Sequence, residues 1–203
     1  TRQCYQLPMH SGIYPLRMKR WQFINKLIKK YKYQRYLEIG YDKGLNFGRV
    51  RCREKASVDP GFPPYDYVKP TYKMTSDQFF EQIAPGLDKW DIIFIDGLHE
   101  SHQVDKDIEN SLRSLTPNGS IVIHDCNPQD EIRQRVPRES RQWNGDVWKS
   151  VAKYRSQGGR CVVIDTDEGL GWIHRSLEPP EPFEVEYTYQ ALDKNRELYL
   201  GLR

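Results

Sequence analysis

Chemistry in this sequence is concentrated where short apolar runs stop. "WDIIFID" ends on Asp96 and "GLH" places His99 three residues later; "SIVIHD" ends on His124 and Asp125; "RYLEIG" carries Glu38 and ends on Gly40; "KASVD" ends on Asp59. An imidazole beside a carboxylate can accept a proton near neutral pH, where histidine titrates without any perturbation. Plainer roles fit the same residues. Asp96 is also placed to cap the helix that starts near Glu100, and His99 to be an ordinary hydrogen-bonded surface histidine. His102 is expected to face solvent. Cys126 reads as small buried filler, since no partner base is visible, and His10 and His174 belong to no motif.

The stretch "EIGYDKGLNFG" narrows the ligand. Its glycines fall at 40, 44 and 48, not in the G-x-G-x-x-G order that seats a pyrophosphate, and no G-K-[ST] follows. A dinucleotide or a nicotinamide-dependent oxidoreductase is therefore disfavoured. Glu38, just before the turn, repels phosphate but welcomes a ligand carrying a positive charge or an ammonium group, and S-adenosylmethionine carries both. Asp59, 19 positions past Gly40, stands where an acid accepts both ribose hydroxyls. Ser76 and Asp77 are placed for the adenine, and Tyr41 and Asp96 complete the expected cofactor contacts. Any one of these alone is turn chemistry; their order along the chain carries the reading.

These residues need a scaffold that gathers strand ends. Residues 16–33 place Leu16, Trp21, Ile24, Leu27, Ile28 and Tyr31 at helical spacing, with Lys and Arg on the other face. Strands are expected at "RYLEIG", "KASVD", "WDIIFID" and "SIVIHD", and at "RCVVIDT" and "GLGWIHR", which "DEG" joins as a hairpin. A helix can open within "YDKGLNFGRV", and turn-rich "PGFPPYD" follows the second strand. "TSDQFFEQIAPGLD" reads as a short helix capped by Thr75 or Ser76, with Phe79, Phe80 and Ile83 inward. Val104, Ile108, Leu112 and Leu115 share one face of a longer helix that "TPNG" stops. "DVWKSVAKYRSQGG" and the tail "YTYQALDKNRELYLGLR" are helical, the tail offering Leu192, Leu198 and Leu202 for docking. The alternation predicts a doubly wound α/β fold, its sheet mostly parallel with a terminal antiparallel hairpin. Ligands in such sheets bind at the strands' carboxyl ends, where strand order reverses. Residues 1–203 read as one domain: an N-terminal helical extension over 1–33, a core over 34–175, and a tail over 176–203.

Composition excludes several classes. With 203 residues, 37% hydrophobic, the chain is long enough for a sizeable core. A net charge of +3, from 31 basic and 28 acidic residues, is far from that of a dedicated nucleic-acid binder. Cys4, Cys52, Cys126 and Cys161 form no zinc or disulfide framework, which suits a reducing cytoplasm. No apolar run is long enough for a membrane span or a signal peptide. Thr1 stands where a methionine would begin a native chain, which leaves the native N-terminus open.

The ordered segments "YLEIG", "SVD", "TSDQFF", "WDIIFIDGLHESHQVDKDI", "LTPNGSIVIHD" and "GDVWKSV" resemble the class I methyltransferases, and especially the branch with macrocin-type sugar O-methyltransferases. The likeness covers roughly residues 34 to 175, with "IDGLH" and the following "HD" strand end its most specific part. It implies a divalent metal, Mg²⁺ or Mn²⁺, at Asp96, His124 and Asp125, and His99 as base. Several relatives have two carboxylates where this chain has His124 and Asp125. Histidine suits Mn²⁺, Fe²⁺ or Zn²⁺ better than Mg²⁺, or orients Asp125 from outside the ligand set.

Methyl transfer is an in-line displacement that demands alignment of two groups and removal of an acceptor proton. The leading expectation is an S-adenosylmethionine-dependent O-methyltransferase acting on a small hydroxylated acceptor, a sugar being one option; a homo-oligomer is compatible with it. Trp143, Trp148 and Trp172 are most simply packing residues, although Trp143 lies in the long segment 127–145, where a lid and the choice of acceptor are expected. The alternative is a non-catalytic binding protein that uses its basic first helix, interleaved with Tyr31, Tyr33 and Tyr36, to grip a partner or nucleic acid.

Overall fold

The computed structural model describes residues 18–61 and 69–203. Leu16 of the predicted first helix, Cys4, His10 and most of "PGFPPYD" lie outside the described residues. In chain order the elements are α1 (Arg20–Tyr31), β1 (Arg35–Ile39), α2 (Leu45–Arg49), β2 (Glu54–Val58) and α3 (Ser76–Gln78), which runs on as a π turn (Phe79–Ile83) and a 3₁₀ turn (Ala84–Gly86). There follow β3 (Trp90–Ile95), α4 (Ser101–Ser114), β4 (Leu115–Ile123), a 3₁₀ turn (Ile132–Gln134), α5 (Val147–Ser156), β5 (Cys161–Ile164), β6 (Leu170–Ile173), α6 (Tyr189–Lys194) and α7 (Arg196–Leu200).

The sheet runs β2-β1-β3-β4-β6-β5. Its first four strands are parallel, and β6 is antiparallel to both neighbours, as the sequence pattern predicts. Strand alternation gives the sheet two buried faces. Leu37, Ile39, Ile93, Ile95, Ile121 and Ile123 pack on one face with the π turn after α3 and with α4, α5, α6 and α7. Tyr36, Ile92, Phe94 and Val122 face the other way, onto Phe23, Ile24, Leu27 and Ile28 of α1. Thr75 is the cap of α3, its hydroxyl accepting the Gln78 N–H at 3.2 Å.

Three local expectations need correction. Leu112 is 40% exposed, because the stripe of α4 that meets the sheet runs through Val104, Asp107, Ile108 and Ser111 and leaves Leu112 on its rim. "TPNG" does not form a separate turn: α4 ends at Ser114, Leu115 pairs with Trp90, and a register shift absorbs the extra residues before Ser120 pairs with Ile92. The tail is two helices broken at Asn195, which caps its own preceding turn by donating to the Ala191 carbonyl at 2.9 Å. That break buries Leu192 and Leu200 and turns Leu198 outward.

The N-termini of α4 and α5 are fastened to each other. Glu100 at the α4 N-cap makes no side-chain capping bond. Asp146, at the start of α5, does the work: it accepts the Ser101 N–H at 2.6 Å and the Ser101 hydroxyl at 2.9 Å. Ser150 in turn donates its hydroxyl to the Ser101 carbonyl at 2.9 Å. Replacing a capping carboxylate costs on the order of 1–2 kcal/mol. Asp146→Ala should lower the unfolding free energy by that amount, seen in urea titrations as a lower midpoint with an unchanged slope; an unchanged midpoint would show the cap to be dispensable.

Candidate active site

The chain passes from β1 outward to β2 and returns on the other side of β1 as β3, so strand order reverses between β1 and β3. A cleft of about 830 Å³ opens there. Its floor depends on Gly40, which has φ +89°; a Cβ would stand 2.0 Å from the Asp96 carbonyl oxygen. Only glycine lets the ends of β1 and β3 come so close. Asp59 organises the turn above it, accepting backbone N–H groups from Tyr41 at 2.8 Å, Asp42 at 3.0 Å and Gly61 at 2.7 Å.

Gly40, Asp59, Ser76, Asp77, Asp96, His99, His124 and Asp125 all line this cleft. Two predicted residues do not. Tyr41 contributes its backbone to Asp59, while its ring lies over Gly44 and edge-on to Phe47. Glu38 is buried at 1% exposure, because strand alternation turns it beneath the cleft with Tyr36, which donates its hydroxyl to it; Asn46 donates at 2.9 Å. Burial pushes the Glu38 carboxyl up to about 7, against the lowering effect of those two donors.

At one end of the cleft, Gln103 reaches Asp77 at 2.8 Å, Ser76 at 3.2 Å and the buried Asp107 at 3.2 Å. Burial raises Asp107 to about 6. At the other end is a knot of charge. The His124 Nδ1 lies 2.7 Å from Asp125 and 3.1 Å from Asp96, and each His99 ring nitrogen lies 3.4 Å from one of the same carboxylates. Arg20 Nη1 donates to Asp96 at 2.6 Å, and its Nε to Asp167 at 3.0 Å. Burial works against ionising Asp96, yet His124, His99 and Arg20 outweigh it and hold its carboxyl well below the usual range. Burial likewise opposes protonating His124, but Asp96 and Asp125 override it and push the imidazole up to about 10. His99 is raised in the same way, with burial opposing and the Asp96 and Asp125 carboxylates prevailing. Asp96 thus does not act as a helix cap, and His99 is no ordinary surface histidine.

The segment 127–145 folds over this end. The Trp143 ring stacks on His99 with centroids 5.2 Å apart and planes 20° from parallel. Its indole N–H is held by the Arg135 carbonyl at 2.7 Å, and Arg138 lies 5.8 Å over its ring. Gly145, at φ +61°, is pressed against His99; a Cβ there would stand 1.7 Å from the His99 carbonyl oxygen. Asn144 donates to Asp125 at 2.8 Å. The plainer readings hold elsewhere: Trp148 is core, Trp172 donates to Ser120 at 3.0 Å, Cys126 is fully buried, and the His102 side chain is 66% exposed.

Among the lining or supporting residues that escape the sequence reading are Arg20, Gln103, Asp107, Asn144 and Asp167. Asp107 and Gln103 had a signal, since both share the inward side of α4 with Val104. Arg20 and Asp167 had none, being one cation of a basic helix and one acid of a hairpin turn.

Residues 37–126 match the family model described as a methyltransferase domain. Over those residues the chain carries a methyltransferase domain, and its doubly wound fold is shared with solved class I methyltransferases. Solved structures similar to this methyltransferase include an O-methyltransferase from Bacillus cereus in complex with SAH, at 13% identity over 76% of this chain and 80% of that one, TM-score 0.56. TomG from Streptomyces achromogenes, an O-methyltransferase involved in tomaymycin synthesis and seen with SAM, is 12% identical over 75% and 76%, TM-score 0.53. Cofactor-bound Rv0187 from MTB is 16% identical over 79% and 82%, TM-score 0.54. Identities this low establish the shared fold and no more. No curated protein matches the methyltransferase by sequence.

Glu38 makes the stability of the methyltransferase depend on pH. Its folded value of about 7 exceeds the ordinary 4.5, so its contribution is fully present below about 4.5 and is lost as pH rises through about 7, a loss of roughly 3 kcal/mol. Glu38→Gln should therefore show a flatter stability curve than the parent between pH 5 and pH 8 in urea titrations. Parallel curves would mean that Glu38 ionises normally.

Proposed function

We propose that this methyltransferase transfers the methyl group of S-adenosylmethionine to the oxygen of a small hydroxylated acceptor, a sugar being one option, and that the chain acts as a single domain. The observation that carries the reading is the double duty of Asp96: its carbonyl packs on Gly40 at the cofactor end, and its carboxylate faces His99 and His124 at the other. Gly40, Asp59, Ser76, Asp77 and Asp96 are assigned to the cofactor, with Tyr41 acting through its backbone and Glu38 supporting the turn from below through Asn46. When bound, the cofactor supplies an electrophilic sulfonium methyl. His99 takes the proton leaving the acceptor hydroxyl at Nδ1, which is buried without a hydrogen bond. Trp143 covers one face of that ring and excludes water from it.

The residues also fit a divalent metal. One ligand atom from each of Asp96, His124 and Asp125 lies within 4.8 Å of the others, an oxygen- and nitrogen-donor set that a divalent cation such as Mn²⁺ would accept. Asp167 lies 3.9 Å from His124 Nε2, on the side where a ligating imidazole is usually steadied. Arg20 occupies only Asp96 Oδ2. A metal held there would lower the pKa of the acceptor oxygen and fix its position.

Calorimetric titration with S-adenosylhomocysteine should show binding by the parent, loss of binding in Gly40→Ala, and weakening of about tenfold in Asp59→Ala. A parent that binds neither S-adenosylhomocysteine nor S-adenosylmethionine, with or without Mn²⁺, sinks the proposal. Separately, Mn²⁺ followed by electron paramagnetic resonance should report a bound ion that Asp125→Ala releases. Only free Mn²⁺ in the parent would mean that the cluster is an ion-paired network without metal.

A further inference from the structure

The amino-acid end of S-adenosylmethionine is a zwitterion, and the cleft holds an Arg–carboxylate pair of matching sense. We propose that Arg20 binds the cofactor's carboxylate while Asp96 binds its ammonium group, an assignment that rests on the methyltransferase reading above. Arg20 lines the cleft and keeps 30% of its side chain exposed there. Its guanidinium is held from behind: Asp167 Oδ2 accepts from Nε at 3.0 Å and from the Arg20 backbone N–H at 2.8 Å. Lys19 steadies the other oxygen of Asp167 at 3.1 Å, and the Thr166 hydroxyl donates to the Met18 carbonyl at 2.8 Å. The start of α1 is thereby fixed to the hairpin turn, so the guanidinium meets a ligand already oriented.

The donor inventory leaves room for a carboxylate. A guanidinium carries five N–H donors; Nε is spent on Asp167 and one N–H of Nη1 on Asp96, at 2.6 Å. Nη2 makes no hydrogen bond to any described residue, and with the second N–H of Nη1 it forms the fork that grips a carboxylate through two bonds. Asp96 Oδ2 retains a second lone pair for an ammonium. Charge balance selects the ligand further. A phosphate-bearing ligand would meet Asp42, Asp59 and Asp96 along the same wall, whereas a zwitterion brings no net charge and adds an anion to Arg20 and a cation to Asp96 together.

Two product-like probes separate the outcomes: S-adenosylhomocysteine, and 5′-methylthioadenosine, which keeps the adenosine and sulfur but lacks the amino-acid end. The parent should prefer S-adenosylhomocysteine. Arg20→Met should weaken that ligand by about 10- to 100-fold and leave 5′-methylthioadenosine unchanged, with Arg20→Lys falling between. Unchanged binding of S-adenosylhomocysteine, or an equal loss for both probes, overturns the assignment. Should Arg20→Met fail to fold in thermal melts, decarboxylated S-adenosylhomocysteine tests the parent directly and must bind about 10- to 100-fold more weakly than the intact compound; equal binding overturns the assignment. A parent that binds none of the probes refutes the methyltransferase reading itself, whereas one that binds both without preference refutes only the role of Arg20.

Discussion

Three carboxylates at the carboxyl edge of the sheet have to find partners while nearly out of water. The side chains of Asp96, Asp125 and Asp167 are only 15%, 6% and 7% exposed, and an isolated ion in such a setting is very costly. Neutralisation comes from separate parts of the chain: Arg20 from the start of α1, His99 from the loop after β3, and His124 from the end of β4. Satisfying these charges therefore draws the first helix, two central strands and the β5–β6 turn to one point. Buried ion pairs seldom add stability over a well-packed apolar core, so a network of this size is better understood as the machinery of a site than as a fastening of the fold.

Backbone contacts then aim the two groups nearest to the chemistry. Gly40 lies under the Asp96 carbonyl and Gly145 lies against the His99 carbonyl, each at a distance no side chain would permit. The short run from 96 to 99 is held between the end of β1 and the start of α5. The Asp146 N–H adds a bond to the His99 carbonyl at 3.1 Å. Neither glycine touches the cleft chemistry through a side chain, yet both determine where a carboxylate and an imidazole point.

Much of this was legible in the sequence, for a specific reason. Strands of a parallel sheet are buried on both faces and read as continuous apolar runs, so the polar residue that ends each one stands out. Asp59, Asp96, His124 and Asp125 were found that way. Glu38 lies beneath the cleft rather than in it, and period-2 alternation along β1 already places it with Tyr36 rather than with Leu37 and Ile39. Arg20 was illegible because a helical pattern reveals the face that is apolar, not which cation at its end will turn inward; that depends on a turn 147 residues away. Asn195 broke the tail helix by a local competition that asparagine often wins, and Leu198 was misplaced with it. Segment 127–145 has no period to read, so only its length hinted that it covers the cleft.

The two ends of the cleft are built from different material. In the proposed reaction the cofactor end, where the ligand is always the same, is made of strand termini and a glycine turn held by Asp59. The acceptor end sets the loop residues Trp143 and Arg138 against His99 and the strand-end pair His124 and Asp125. Asp96 joins them, Oδ2 toward Arg20 and Oδ1 toward His99 and His124. A carboxylate shared in this way cannot change its partners on one side without altering the field on the other. Ligand charge at Arg20 is thus felt at the base through a single side chain, with no need for a moving domain.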